Sequence, residues 1–186
     1  MQWMIASDLH GSAYYARALV EAFAREGADR LVLLGDLLYH GPRNDLPREY
    51  APKEVIPLLN GLGDRLLCVR GNCDSEVDQM VLTFPILADY AVLALGERLV
   101  YCTHGHVWNR ENLPPLRPGD LLLHGHTHVP AWQWVEDLFC ANPGSVSLPR
   151  RGSPQSCLVY ENGCFTWLTL EGDPYHWEAL PPPPAP

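Results

Sequence analysis

Asp8 and His10, Asp36, Asn72, His104, His126 and His128 are the residues whose types could do chemistry together: two carboxylates, four imidazoles and one amide oxygen. Each lies just past a short apolar run, most plainly in residues 121–130, where LLL runs straight into HGHTH. A buried strand that delivers ligands to the loop beyond its carboxyl end is how open α/β sheets present reactive groups. Singly, an Asp-x-His or a Gly-Asp is commonplace; five successive strand ends of the same character point to one shared site. The donor set is borderline-hard and suits manganese, iron, zinc or nickel better than calcium or magnesium. Seven donors are too many for one tetrahedral ion and suit two ions that share a bridging carboxylate.

The elements that must position these groups follow from the apolar pattern. Residues 3–6 form a short strand that empties into Ser7-Asp8-Leu9-His10-Gly11. Ser12 can cap a helix over 13–26, in which Ala16, Leu19, Val20 and Phe23 recur at helical spacing and Gly27 is the stop. A second strand over 30–34 ends in Gly35-Asp36, which completes a βαβ unit of a parallel sheet. After the long loop 37–52, a helix over 53–60 contains Pro57, which should kink or shorten it.

A third strand, 65–69, leads to Gly71-Asn72-Cys73-Asp74. Residues 90–95 and 98–103 read as a hairpin about Gly96-Glu97 that ends at His104-Gly105-His106. Beyond the proline-rich loop 109–119 and the 121–130 stretch come strands over 132–135 and 138–141, then Asn142-Pro143-Gly144-Ser145. A final hairpin pairs 157–160 with 164–170 about Asn162-Gly163. One domain over 1–172 is expected, with 173–186, ending in PPPPAP, as a proline-rich tail outside helix and sheet.

A length of 186 residues suits one domain with a core that needs no staples. The net charge of -9 argues against a surface that coats nucleic acid or acidic lipid, so a phosphate-bearing substrate must be attracted locally, by metals or a few arginines. The six cysteines form no C-x-x-C pair and read as reduced small hydrophobes, and with the short, non-basic start MQWMIAS a cytoplasmic location is expected. No apolar run approaches the roughly twenty residues that span a bilayer.

In order and spacing, Asp8-x-His10, Gly35-Asp36, Gly71-Asn72, His104 and Gly125-His126-Thr127-His128 resemble the calcineurin-like metallophosphoesterases over residues 1–170. The runs GDLLYHGPRN, RGNCDSEVDQM and NPGSVS are most similar to the bacterial YfcE-type phosphodiesterases among them. The resemblance implies a four-layer αββα sandwich, two mixed sheets flanked by helices, with a dinuclear site at the strand ends. It further implies that Asp8, His10 and His128 hold one ion, that Asn72, His104 and His126 hold the other, and that Asp36 bridges. Mn²⁺ is the first expectation, with Fe, Zn or Ni accommodated by the same set. The implied reaction is phosphodiester hydrolysis by a hydroxide bridging the two ions, on a small diester whose single negative charge matches a site of about +1.

Cys73 departs from the pattern, since many members have a histidine there that is thought to protonate the leaving group. A thiol is a poor acid at neutral pH, so phenol-like leaving groups should be preferred to alkoxides. Arg43, Asn44 and His40 could reach substrate oxygens over the metals, although a loop arginine can equally be a solvated charge. Asp74 could orient a metal ligand or cap a short helix beginning near Ser75. His106 reads as a packing group and His124 as a satisfied core imidazole, while the Ser145 loop lacks a nucleophile-elbow frame and reads as a brace for the GHTH segment. Two other functions stay open: a phosphomonoesterase or phosphoprotein phosphatase on the same ions, and a non-catalytic scaffold like the retromer subunit of this fold. Assembly into a homo-oligomer could also shape the cleft.

Overall fold

A computed structural model describes residues 1–181; the end of the expected tail, 182–186, lies outside the described residues. The expected βαβ start is present as β1 (Trp3–Ala6), α1 (Ala13–Glu26) and β2 (Arg30–Leu33). Ser12 accepts a hydrogen bond from the Tyr15 amide, and Gly27 closes α1 in the left-handed conformation with its N–H on Ala24. The second helix, α2 (Pro52–Asn60), starts on a proline and runs through Pro57, which sits on its exposed side and does not end it. The remaining elements are β3 (Leu66–Cys68), the single turn α3 (Glu76–Gln79), β4 (Tyr90–Leu95), β5 (Arg98–Thr103) and β6 (Leu121–Leu123). They are followed by β7 (Ala131–Val135), β8 (Leu138–Asn142), β9 (Ser156–Glu161), β10 (Cys164–Thr169) and β11 (Pro174–Ala179).

The strands make two mixed sheets, in the orders β11-β10-β9-β1-β2-β3 and β4-β5-β6-β8-β7. Alternation of side chains decides what each face buries. Ile5, Val32 and Leu158 of the first sheet meet Val100, Leu121, Leu123 and Phe139 of the second in the inter-sheet core. Met4, Ala6, Leu31 and Leu33 point the other way, onto Leu19 and Phe23 of α1 and Val55 and Leu59 of α2. The outer face of the second sheet is covered differently. There Tyr101, Leu122 and Cys140 pack under Trp108, Leu113 and Leu116 of the 109–119 loop and the segment before it, so a loop does the work of a helix.

The expectation that the chain leaves the sheet after Gly172 is corrected by β11, which pairs antiparallel with β10 as the edge strand. Pro174 is the first residue of that strand, where a missing N–H costs least, and alternate aromatic residues follow it. His176 stacks on Trp132 of β7 with ring centroids 3.9 Å apart, so the last strand ties the two sheet edges together. No helix among the described residues is long and apolar enough to cross a membrane.

Parallel pairing of β1 with β2, of β2 with β3, and of β5 with β6 sends five strand ends in matched directions. The loops that carry the candidate ligands are therefore neighbours. Backbone hydrogen bonds lace them, among them His10 N–H to the Asp36 carbonyl at 2.9 Å and Gly125 N–H to the His104 carbonyl at 2.7 Å.

Candidate metal centre

Three of the histidines are oriented by backbone carbonyls. Nδ1 of His10 meets the Tyr39 carbonyl at 2.8 Å, Nδ1 of His104 the Leu34 carbonyl at 2.7 Å, and Nδ1 of His128 the Leu148 carbonyl at 2.6 Å. A carbonyl only accepts, so each Nδ1 carries a proton and each Nε2 is the nitrogen left to face a cation. Those nitrogens converge. Nε2 of His10 lies 3.2 Å from Nε2 of His128, and Nε2 of His104 lies 3.1 Å from Oδ1 of Asn72 and 3.2 Å from Nδ1 of His126.

The carboxylates sit among them. Asp8 Oδ1 is 3.3 Å from His128 Nε2 and 3.7 Å from His10 Nε2, while Asp36 Oδ2 is 3.6 Å from His10 Nε2 and 3.4 Å from His104 Nε2. Asp36 thus stands between the His10–His128 side and the His104–His126 side. Asp8 Oδ2 accepts from the His126 amide and Asp36 Oδ1 from the Cys73 amide, but Asp8 Oδ1, fully buried, has no hydrogen-bond partner among the described residues. A buried carboxylate oxygen left bare beside facing imidazole nitrogens is an expensive arrangement without a cation. The seven residues expected to share one site are brought together. Asp8, His10 and His128 form one group whose donor atoms lie within 4.8 Å, and Asp8, Asp36 and His104 another.

The electrostatics of the cation-free site agree with that reading. Burial alone would raise the Asp8 pKa, but the imidazoles of His128, His104 and His10 outweigh it and hold the carboxyl well below its ordinary value. Burial likewise opposes a charge on His104, yet Asp36 and Asp8 beside it push its pKa up to about 9. Burial, helped by His104, lowers His126 to about 4, and burial also lowers His10.

The backbone is strained where the ligands are. Asp8, His10, Asp36, His126 and His128 all have positive φ, between 50° and 67°, a region that costs a non-glycine residue about 1–2 kcal/mol. The glycines beside them make room. A Cβ on Gly71 would stand 2.1 Å from Asp36 Oδ1, and one on Gly125 would stand 1.9 Å from Ser7 Oγ.

Two supports were only partly legible from the sequence. Asp74 neither caps α3, which Ser75 and Asp78 close in a capping box, nor touches an imidazole. Its buried carboxylate accepts from the amides of Asp36, Leu37 and Gly71, binding the loops after β2 and β3 into one unit. The Ser145 loop braces as expected: the hydroxyls of Ser145 and Ser147 donate to the Asp8 carbonyl, and the Arg150 amide donates to the carbonyl of His128.

Above the donors opens a cleft of about 770 Å³, lined by Arg43, Asn44 and Cys73 together with Asp36, Asn72 and His128. Arg43 is exposed, and Asn44 is tied to the His40 carbonyl and to the guanidinium of Arg150, a cleft residue the sequence did not single out. His40 does not line this cleft. Its ring is wedged edge-on between Tyr39 and Tyr50. The Cys73 thiol is pushed up to about 12 by burial and by the neighbouring Asp36, so it stays protonated. His106 is exposed, its ring 5.4 Å from that of His104.

A family model for the calcineurin-like phosphoesterase superfamily domain matches residues 1–162. The chain belongs to that superfamily. It is 46% identical over 170 residues to phosphodiesterase YfcE of Escherichia coli K12, covering 91% of this chain and 92% of that protein. The solved E. coli YfcE structure superimposes with a TM-score of 0.94 at 44% identity, over 97% of this chain and all of that one. Vps29 of Chaetomium thermophilum, at 16% identity and a TM-score of 0.59 over 99% of this chain and 97% of that one, shares the fold alone. The superfamily's chemistry and the donor set agree: these residues fit a pair of divalent cations.

Proposed function

We propose that the chain is a metal-dependent phosphodiesterase, with Asp8, His10 and His128 holding one cation, Asn72, His104 and His126 the other, and Asp36 shared. The observation that carries this reading is the bare Asp8 Oδ1 facing inward-turned imidazole nitrogens at the floor of an open cleft. Two bound cations would supply a water acidic enough to lose its proton near neutral pH and a positive field over the phosphate oxygens, with Mn²⁺ the first choice and Fe, Zn or Ni compatible.

The chain's own residues do the rest. Carbonyls of Tyr39, Leu34 and Leu148 fix which imidazole nitrogen would face a cation, and the Asp74 carboxylate fixes the loops bearing Asp36 and Asn72. Arg43, Asn44 and Arg150 line the cleft where phosphate oxygens and ester arms would lie. Cys73, protonated and weakly acidic, offers little to a departing alkoxide, which favours esters whose leaving group needs no proton. Likeness to E. coli YfcE, named a phosphodiesterase, supports the diester over the monoester.

The test is a chelator-stripped sample given Mn²⁺ and assayed on bis(p-nitrophenyl) phosphate and on p-nitrophenyl phosphate. Metal-dependent turnover of the diester well above the monoester is expected. Preference for the monoester would make the chain a phosphatase, and turnover of neither would leave a scaffold.

A further inference from the structure

A second cavity, of about 450 Å³, adjoins the metal cleft; Thr127 and Arg150 line both. Thr127 lies between His126 and His128, so a ligand in this cavity would sit one residue from two candidate metal ligands. The chain carries 22 acidic against 13 basic residues, yet this cavity is lined by Arg110, Arg150 and Arg151 and by no carboxylate. Arg151 makes no hydrogen bond or ion pair among the described residues. Among the described residues the polar partners of Arg110 are the Gln133 amide and Glu111, the latter at 3.8 Å and 82% exposed, which leaves its charge largely uncompensated.

His124 stands in the wall of the same cavity. His124, 3% exposed, was expected to be a satisfied core imidazole; its Nδ1 lies near Gly125 O and Asn142 Nδ2, but its Nε2 has no partner among the described residues, and the residue lines the cavity. Trp132, packed on His176 and 37% exposed, gives the cavity an apolar wall.

Resting on the diesterase reading, we propose that this cavity binds a second anionic group of the substrate, so that the substrate class is a phosphodiester one of whose alcohol arms carries a further phosphate. The scissile phosphorus lies over the metal cleft. The arm passes Thr127 and Arg150, and its phosphate is held by the guanidiniums of Arg110 and Arg151. Planar guanidiniums match phosphate oxygens two at a time, and in a chain of this net charge they give the second phosphate a local positive site beside the metal cleft.

The test compares two p-nitrophenyl diesters of thymidine 5′-phosphate, with and without a phosphate on the 3′-hydroxyl, on the Mn²⁺-loaded full chain. Binding of thymidine 3′,5′-bisphosphate is measured in parallel by calorimetry. The added phosphate is expected to lower KM at least about tenfold, and Arg110→Gln with Arg151→Gln to bring that ratio close to one and weaken bisphosphate binding in step. Equal KM values for the two diesters, or bisphosphate affinity indifferent to the double substitution, would overturn the cavity's role. Turnover of neither diester would instead overturn the diesterase reading, with the calorimetry still deciding the cavity.

Discussion

Asp74→Asn separates a support of the site from the site itself. The Asp74 carboxylate, 4% exposed, takes the Asp36 and Gly71 amides on Oδ2, at 2.8 and 2.7 Å, and the Leu37 amide on Oδ1, at 2.9 Å. An asparagine has one acceptor oxygen. Set where Oδ2 stands, it keeps two of the bonds and turns its own N–H groups toward the Leu37 N–H, so one charge-assisted bond becomes a meeting of donors. Losing such a bond costs about 1.5–3 kcal/mol, and the two that survive weaken without the charge. Burial already raises the Asp74 pKa, so removing a desolvated charge returns part of that cost. The net expectation is about 2–3 kcal/mol, which for a domain of this length lowers the melting temperature by about 4–12 °C. Because the tethered amides belong to the loops carrying Asp36 and Asn72, Mn²⁺ affinity should fall about 10- to 100-fold as well. Thermal unfolding followed by circular dichroism, with metal titration of the same sample, reads both. A variant that melts within a degree or two of the parent and binds Mn²⁺ as tightly would refute the tether.

Gly71→Ala should be more severe, since its Cβ would collide with backbone and carboxylate of Asp36 at 2.3 and 2.1 Å; loss of most turnover, with melting lowered further than in Asp74→Asn, is expected in the same assays. Metal affinity should rise with pH. In the cation-free protein His104 keeps its proton up to about 9, and a ligand must shed it, so apparent affinity should grow up to tenfold per pH unit below that value and level off above it, as pH-dependent titration would reveal. Truncation after Glu171 removes β11 and the His176–Trp132 stack; a loss of about 2 kcal/mol or more in urea unfolding is expected, and an unchanged midpoint would return the segment to the status of a tail.

What the sequence made legible is what depends on short-range pattern. Ser12, the Leu19 and Phe23 stripe and Gly27 define α1 without help from the rest of the fold, and the apolar runs that stop at Asp8, Asp36, Asn72, His104 and His126 mark strand ends. The shared direction of those strands brings the ligands into one place. What escaped depends on long-range contact. From the sequence Asp74 can equally orient a metal ligand or cap the helix near Ser75, and only the packing of β2 against β3 turns its carboxylate on three amides. The left-handed backbone at Asp8, His10, Asp36, His126 and His128 has no signature in residues that are not glycine. For β11 a signal was present, the alternation in PYHWEA, but a leading proline and the proline run beyond it masked it.

Anomalous scattering from crystals of the full chain grown with Mn²⁺ bears most directly on the dinuclear site. Two peaks are predicted, one among Asp8, His10 and His128 and one among Asn72, His104 and His126, with Asp36 between them. A single peak, peaks elsewhere in the fold, or none under Mn²⁺, Zn²⁺, Fe²⁺ or Ni²⁺ would contradict it.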